Sequence, residues 1–320
     1  MFKKLNTKTL VILLVVFGGL VLFNKFYHEK KSESTFRDVF VKIDTSIVTQ
    51  IQIYPQAEKG KEVKLIKNGA KWELQNDKIK TAADSNAVRG LLAAFAEMKS
   101  LSLGGADKSS WKDLQVTDSA GTRIIFTTAD NKTYNMIIGK FGYNNETRQG
   151  NTYIRHSDEE AVYSVEGFLS FSVNQGFNSW RNKVLVHGDK NNWTQLMFTY
   201  PADSSFVLSK QGTSWTVNGA PADSAKTEQY LGQLANMQSA GFADNYTPSS
   251  TPAFTLSISG NNISQPITVQ AYPADSTQKF IFHSSLNPDA YFSEGQSHVM
   301  ERLFVGKEKF LPAPESSGKK

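Results

Sequence analysis

The stretch TAADSNAVRGLLAAFAEMKS, Thr81–Ser100, returns later in the chain as APADSAKTEQYLGQLANMQS, Ala220–Ser239, with the Asp-Ser pair and the closing Met in register. In the first version Val88, Leu91, Leu92, Phe95 and Met98 recur at helical spacing, so one face of a helix is apolar. The second places Tyr230, Leu231, Leu234 and Met237 on the same stripe. Asp84 and Asp223 stand one residue ahead of each helix, where a carboxylate accepts the free N–H groups of the first turn. Two unrelated helices seldom agree in cap, stripe and length, so the chain reads as a duplication.

Working outward, VTQIQIYPQ (Val48–Gln56) and EVKLIKNGAKWELQ (Glu62–Gln75) precede the first helix, and WTQLMFTYPAD (Trp193–Asp203) and FVLSKQGTSWTVN (Phe206–Asn218) precede the second. Apolar and polar residues alternate about an Asn-Gly or Gln-Gly turn, as paired strands require, and Trp72 aligns with Trp215. Downstream, Arg123–Gly139 parallels Phe254–Tyr272 as a hairpin with Asn-containing turns. Short strands follow at Thr152–Ser157 and Ala161–Val165, matched by Lys279–Ser285 and Ala290–Ser293. Aromatic-rich segments, Phe168–Trp180 and Val299–Phe310, read as terminal helices. The unit is β-β-α-β-β-β-β-α, and the expected class is α+β: two tandem repeats, each a mainly antiparallel sheet with packed helices. The repeats are expected at 41–188 and 189–312, with a disordered tail at 313–320.

Leu10–Phe23, LVILLVVFGGLVLF, is an uncharged apolar run with lysines on both sides. Counting Thr9–Tyr27 as a helix gives about 28 Å, enough for one bilayer crossing. The expected order is a cytoplasmic tail at 1–8, a single transmembrane helix at 9–27 and a stalk at 28–40. A retained anchor is favoured over a cleaved signal peptide because no small-x-small pair follows closely. The lysines balance across the run, so orientation rests on the shortness of the tail, which puts the N-terminus inside and the body in the periplasm or otherwise outside the cytoplasm. Residues 1–31 hold six lysines against one glutamate, which accounts for the whole formal charge of +5. The body then has no net charge, and nucleic acid is set aside as a partner. The absence of cysteine excludes thiolate metal sites, disulfides and a cysteine nucleophile.

The apolar leader, the strand followed by a "W-x-L" segment, the "A-D-x-x-x-V-x-x-L-L" helix and the arginine at Trp180-Arg181 resemble the family catalogued as domain of unknown function 4340. Members of that family are often encoded beside ABC-type transport systems, including a gliding-motility-associated auxiliary component. The resemblance therefore implies a membrane-associated accessory role, with transporter permease and auxiliary chains as partners, and carries no catalytic residues. One departure is Lys140–Asn151, KFGYNNETRQGN, a longer loop with no counterpart in the second repeat.

Catalytic signatures are sparse. The chain has no nucleotide-binding P-loop, no G-x-S-x-G elbow, and no pair of histidines spaced for a metal. No metal, cofactor or catalytic residue is expected. The strand-end His156-Ser157-Asp158, with His283-Ser284 at the matching place, could supply a general base, although polar strand exits form turns without chemistry. Asp84 and Asp223 are explained as caps rather than as paired glycosidase acids. The contact surface expected is the tip of the longer loop, Phe141, Tyr143, Asn144, Asn145 and Arg148, and within the anchor Gly18-Gly19 would allow close approach of a second helix. The function expected is a non-enzymatic, membrane-anchored scaffold subunit of an envelope complex, with a glycan- or peptide-binding module as the alternative.

Overall fold

A computed structural model describes residues 37–144, 148–274, 280–294 and 298–312. Within them strand dominates: the fold is mostly β, with 45% strand against 20% helix in three antiparallel sheets. This corrects the expected helix-packed α+β class. The duplicated segments lie where the alternation puts them, but each copy holds more strand than the sequence suggested and its helices are short. Among the described residues no helix is long and apolar enough to cross a membrane. The expected anchor at 9–27, with Gly18 and Gly19, and the tail at 313–320 lie outside the described residues.

The chain divides into two compact units, one holding the residues up to Lys67 with Asn86–Gly176, the other Asn68–Ser85 with Phe177 onward. In the first unit the strands are β1 (Val39–Lys42), β2 (Val48–Tyr54), β3 (Val63–Asn68), β6 (Glu97–Gly105), β7 (Thr122–Thr128), β8 (Thr133–Asn144), β9 (Gln149–His156) and β10 (Val162–Glu166). They are hydrogen-bonded in the order β1-β6-β10-β9-β8-β7-β2-β3. Helices α1 (Ser85–Ala96) and α2 (Leu169–Val173) accompany them. α1 buries Val88, Leu91 and Phe95, and Phe95 meets Phe126 of β7 with ring centroids 4.8 Å apart. β1 starts at Val39, within the range expected as stalk, whose residues up to 36 lie outside the described ones.

The second unit contains the antiparallel pair β4 (Lys71–Gln75) and β5 (Lys80–Ala82). It then runs β11 (Val184–His187), β12 (Trp193–Thr199), β13 (Phe206–Gln211), β14 (Ser214–Val217), β15 (Ala220–Pro221), α3 (Ser224–Leu234), β16 (Asn236–Gln238), β17 (Phe254–Gly260), β18 (Ile267–Pro273), β19 (Phe280–Ser284), β20 (Asn287–Ser293) and α4 (Val299–Leu303). Eight strands pair as β15-β14-β13-β12-β17-β18-β19-β20, and β11 pairs with β16. The core is built on Trp193, Leu196, Phe198, Tyr230, Phe282, Phe292 and Phe310, all fully buried. Turn chemistry is local: Asn218 and Gly219 both hold positive φ, as a two-residue hairpin between β14 and β15 demands.

Element order from β11 to Phe310 repeats that from β1 to Trp180, strand by strand. Four readings change. The helices end at Ala96 and Leu234, so Met98 and Met237, placed on the helical stripe by periodicity, sit on strands β6 and β16. The strands they belong to pair with β1 and β11, which the sequence reading left out of its unit. Since β11 pairs with β16, the second element order begins at Val184, ahead of the expected boundary at 188. Each presumed terminal helix is one short α-helix and a 3-10 turn, Phe177–Trp180 or Lys307–Phe310, separated by a stretch that includes Gly176 or Gly306.

Candidate functional site

The duplication supplies a reference for reading each side chain, because the ladders fix which residues are equivalent. His156 pairs with Met136, and Ser284 pairs with Val269 at the matching rung, so the counterpart of His156 is Ser284 and not His283. Nε2 of His156 donates to the Phe40 carbonyl at 3.1 Å, and Oγ of Ser284 donates to the equivalent Leu185 carbonyl at 2.5 Å. The imidazole also stacks on Phe40 at 4.4 Å. The side chains fasten the short strands β1 and β11 to β9 and β19 respectively, which accounts for a polar residue at this rung in both copies. His283 lies one residue out of that register, its Nε2 donating to the Pro288 carbonyl, with its ring 4.8 Å from Tyr291.

The two aspartates that precede the helices behave alike. Asp223 Oδ1 accepts from the Lys226 N–H at 3.0 Å and caps α3. The main-chain N–H groups of Asp84 and Asp223 donate to the carbonyls of Trp180 and Phe310, at 2.8 and 2.7 Å. Of the tryptophans, Trp72, Trp180, Trp193 and Trp215 are buried, and Trp111 is half-buried against Arg155.

The copies part company at the hairpin β8–β9 and at α2. Lys140–Asn151, expected as a loop, is largely a ladder: Phe141 faces Thr152, Gly142 faces Asn151, Tyr143 faces Gly150 and Asn144 faces Gln149. A register shift after Ile138 lets the strands continue. There the Lys140 N–H donates to the Leu114 carbonyl. Alternation of Phe141 and Tyr143 opposite Gly150 and Thr152 was the available signal for strand.

Over this extension lies α2, which buries Leu169 and Val173 and so turns Phe168 and Phe171 outward. Those two rings are 58% and 59% exposed, and Tyr143 is 55% exposed. Phe141 stacks on Phe168 at 5.1 Å and meets Phe171 at 5.4 Å. Gly150 makes the stack possible: a Cβ there would come 2.8 Å from Phe141 Cε2 and 3.0 Å from Phe168 Cζ. Thr152 Oγ1 and the Gly167 N–H, bonded to the Gly167 and Gly150 carbonyls respectively, hold the entry to α2 on the hairpin. In the second copy the core positions persist as Val299 and Leu303, but His298 and Glu301 replace the two exposed phenylalanines. The fold therefore does not require the aromatic shelf.

Of the five loop residues expected to make contacts, Phe141 belongs to this shelf, Tyr143 borders the depression described below, and Arg148 is exposed at the hairpin end with φ +56°. The Asn144 side chain and Asn145 lie outside the described residues. Phe168 and Phe171 went unremarked as surface residues because an aromatic-rich segment reads as core; the signal was their mismatch with His298 and Glu301.

Gln149, Asn151 and Tyr153 alternate onto the opposite face of the hairpin. With Leu101, Ser102, Tyr143 and Ser164 they line a depression of about 520 Å³. Two further depressions of about 660 and 680 Å³ lie in the second unit, one beside Lys71, Glu73, Lys80 and Asp289, the other beside Asp244 and Tyr246. Among the described residues no group of three or more His, Asp or Glu could hold a metal ion.

The arrangement defines a duplicated, mostly antiparallel β protein whose first copy presents an aromatic shelf where the second has His298 and Glu301. A family model described as Domain of unknown function (DUF4340) matches residues 72–257, more than half of the sequence, and the chain belongs to that family. No curated protein and no solved structure matches it.

Proposed function

We propose that the chain is a non-catalytic binding subunit that docks another polypeptide of an envelope assembly through the shelf of Phe141, Phe168 and Phe171. The observation that carries this reading is the exposure of Phe168 and Phe171 at positions where the sister copy has His298 and Glu301. Exposed rings grouped this way are costly to leave in water, and covering the two of them contributes roughly 3 kcal/mol to an interface. The engagement of His156 with the Phe40 carbonyl, matched by Ser284, supports a positioning role for that residue over general-base chemistry. The reading takes the partner to be a permease or auxiliary chain of an ABC-type transporter, and the body to act outside the cytoplasm, a compartment that a cysteine-free sequence suits. It does not lean on residues 9–27.

The test is affinity copurification of the full chain from its native cells, with mass spectrometry, beside the Phe168→Glu/Phe171→Glu variant and a Met197→Glu control on the other copy. Met197 is exposed as well, at 45%. A transporter chain recovered with the wild type and with Met197→Glu, and lost with the double variant, supports the reading. Equal recovery with all three proteins, or recovery of the chain alone, refutes it.

A further inference from the structure

We propose that the depression on the opposite face of the β8–β9 hairpin binds a neutral oligosaccharide. The proposal is independent of the docking shelf, which occupies the other face.

Three features converge. None of the seven lining residues, Leu101, Ser102, Tyr143, Gln149, Asn151, Tyr153 and Ser164, carries a charge, whereas the other two depressions described above include Lys, Glu or Asp side chains. An ionic ligand would surrender its hydration without a lining counter-charge. Next, the lining brings two tyrosines together with two amides and two serines. Flat apolar faces among neutral donors and acceptors are what a sugar ring needs, since it shows C–H groups on its faces and hydroxyls around its rim. A volume of about 520 Å³ falls in the range of small-ligand sites.

The third feature is that the site is held in shape before any ligand arrives. Asn151 Nδ2 donates to Ser164 Oγ at 2.7 Å, which fixes the amide and leaves its oxygen as an acceptor. Gly142 and Gly104 allow the close packing: a Cβ at Gly142 would come 2.7 Å from Asn151 Oδ1, and one at Gly104 would come 2.9 Å from Tyr153 Cδ1. Tyr153 also packs on the small cluster of Val116, Ile137 and Val162. The Lys140 ammonium lies 6.0 Å from the Tyr153 ring centroid and is not among the lining groups.

The experiment is saturation-transfer NMR on the full chain with maltotriose and tri-N-acetylchitotriose as neutral probes and trigalacturonate as an anionic one. Transfer to at least one neutral probe is expected, with affinity reduced about tenfold or more by Tyr143→Ala and by Asn151→Asp and unchanged by Phe168→Glu/Phe171→Glu. Tyr143 is largely exposed, so its truncation leaves the core intact; a thermal melt of each variant verifies folding. Absence of transfer to both neutral probes at millimolar concentration overturns the proposal. So does tighter binding of trigalacturonate, or neutral binding that survives both pocket substitutions. Loss of sugar binding in the Phe168→Glu/Phe171→Glu variant would overturn the separation of the two faces.

Discussion

Arg181 lies almost fully buried against Asp244, with Nη2 2.7 Å from Oδ1 and Nη1 2.9 Å from Oδ2. The guanidinium also rests 3.6 Å over the Phe242 ring, and an isolated β-bridge joins Arg181 to Ala83. This is the arginine of the Trp180-Arg181 motif, and its contacts are structural. Asp244→Asn would leave a buried cation without its counter-charge, so a loss of about 3 kcal/mol is expected. Arg181→Met, which removes the buried charge and leaves a partly hydrated carboxylate, should cost less. Urea denaturation of both variants checks the ranking, and the reverse order would refute this account.

The rung shared by His156 and Ser284 gives a second expectation. Ser284→Ala strands the buried Leu185 carbonyl and should destabilise by about 1–2 kcal/mol. His156→Ser puts the sister copy's residue in place, and should cost less than His156→Ala, in chemical denaturation, if the donor is what matters at this rung.

Gly150→Ala sets a methyl group against Phe141 and Phe168. Because Phe168 is exposed and can swing away, a stability loss of only about 1 kcal/mol is expected. Partner recovery should nonetheless fall, because the stack is displaced. A variant that melts with the wild type and still copurifies its partner would count against the shelf.

Alkaline pH should unfold the second unit. Burial raises the Tyr230 hydroxyl well above its ordinary range and raises Tyr200 as well, and their O–H groups donate to the Leu303 and Val305 carbonyls. In the unfolded chain both phenols ionise near pH 10, so their contribution is fully present below about pH 10 and is lost as the pH climbs toward the folded values. Melting temperature should fall steadily above about pH 10, and less steeply in Tyr200→Phe/Tyr230→Phe. A slope unchanged in that double variant would assign alkaline loss to other groups.

The duplication was legible because strand alternation and the α1 and α3 stripes are core patterns, and buried positions constrain residue type most. Strands β1 and β11 were not: each has four residues, and its partner lies beyond the following helix, so no local turn announces it. Met98 and Met237 misled for a related reason, since a residue that leaves a helix for a strand can stay buried without interrupting the count. The equivalence of His156 with Ser284 is set by ladder register, and a one-residue offset cannot be seen in similar polar strings. At the site, the hairpin insertion was visible, but its ladder was hidden by glycines and asparagines that usually signal loop. The family resemblance agreed with the match over residues 72–257, whereas the helix-packed class it was paired with did not hold.

The main-chain bond from Asp223 to Phe310 makes the far end of the polypeptide a fastening for a helix that begins almost ninety positions earlier. Phe310 adds a fully buried ring 5.1 Å from Tyr230, and Leu311 takes a bond from the Lys226 ammonium. Trimming expression clones back to Gly306 would thus unlatch α3 at its start, and affinity handles belong after Pro312.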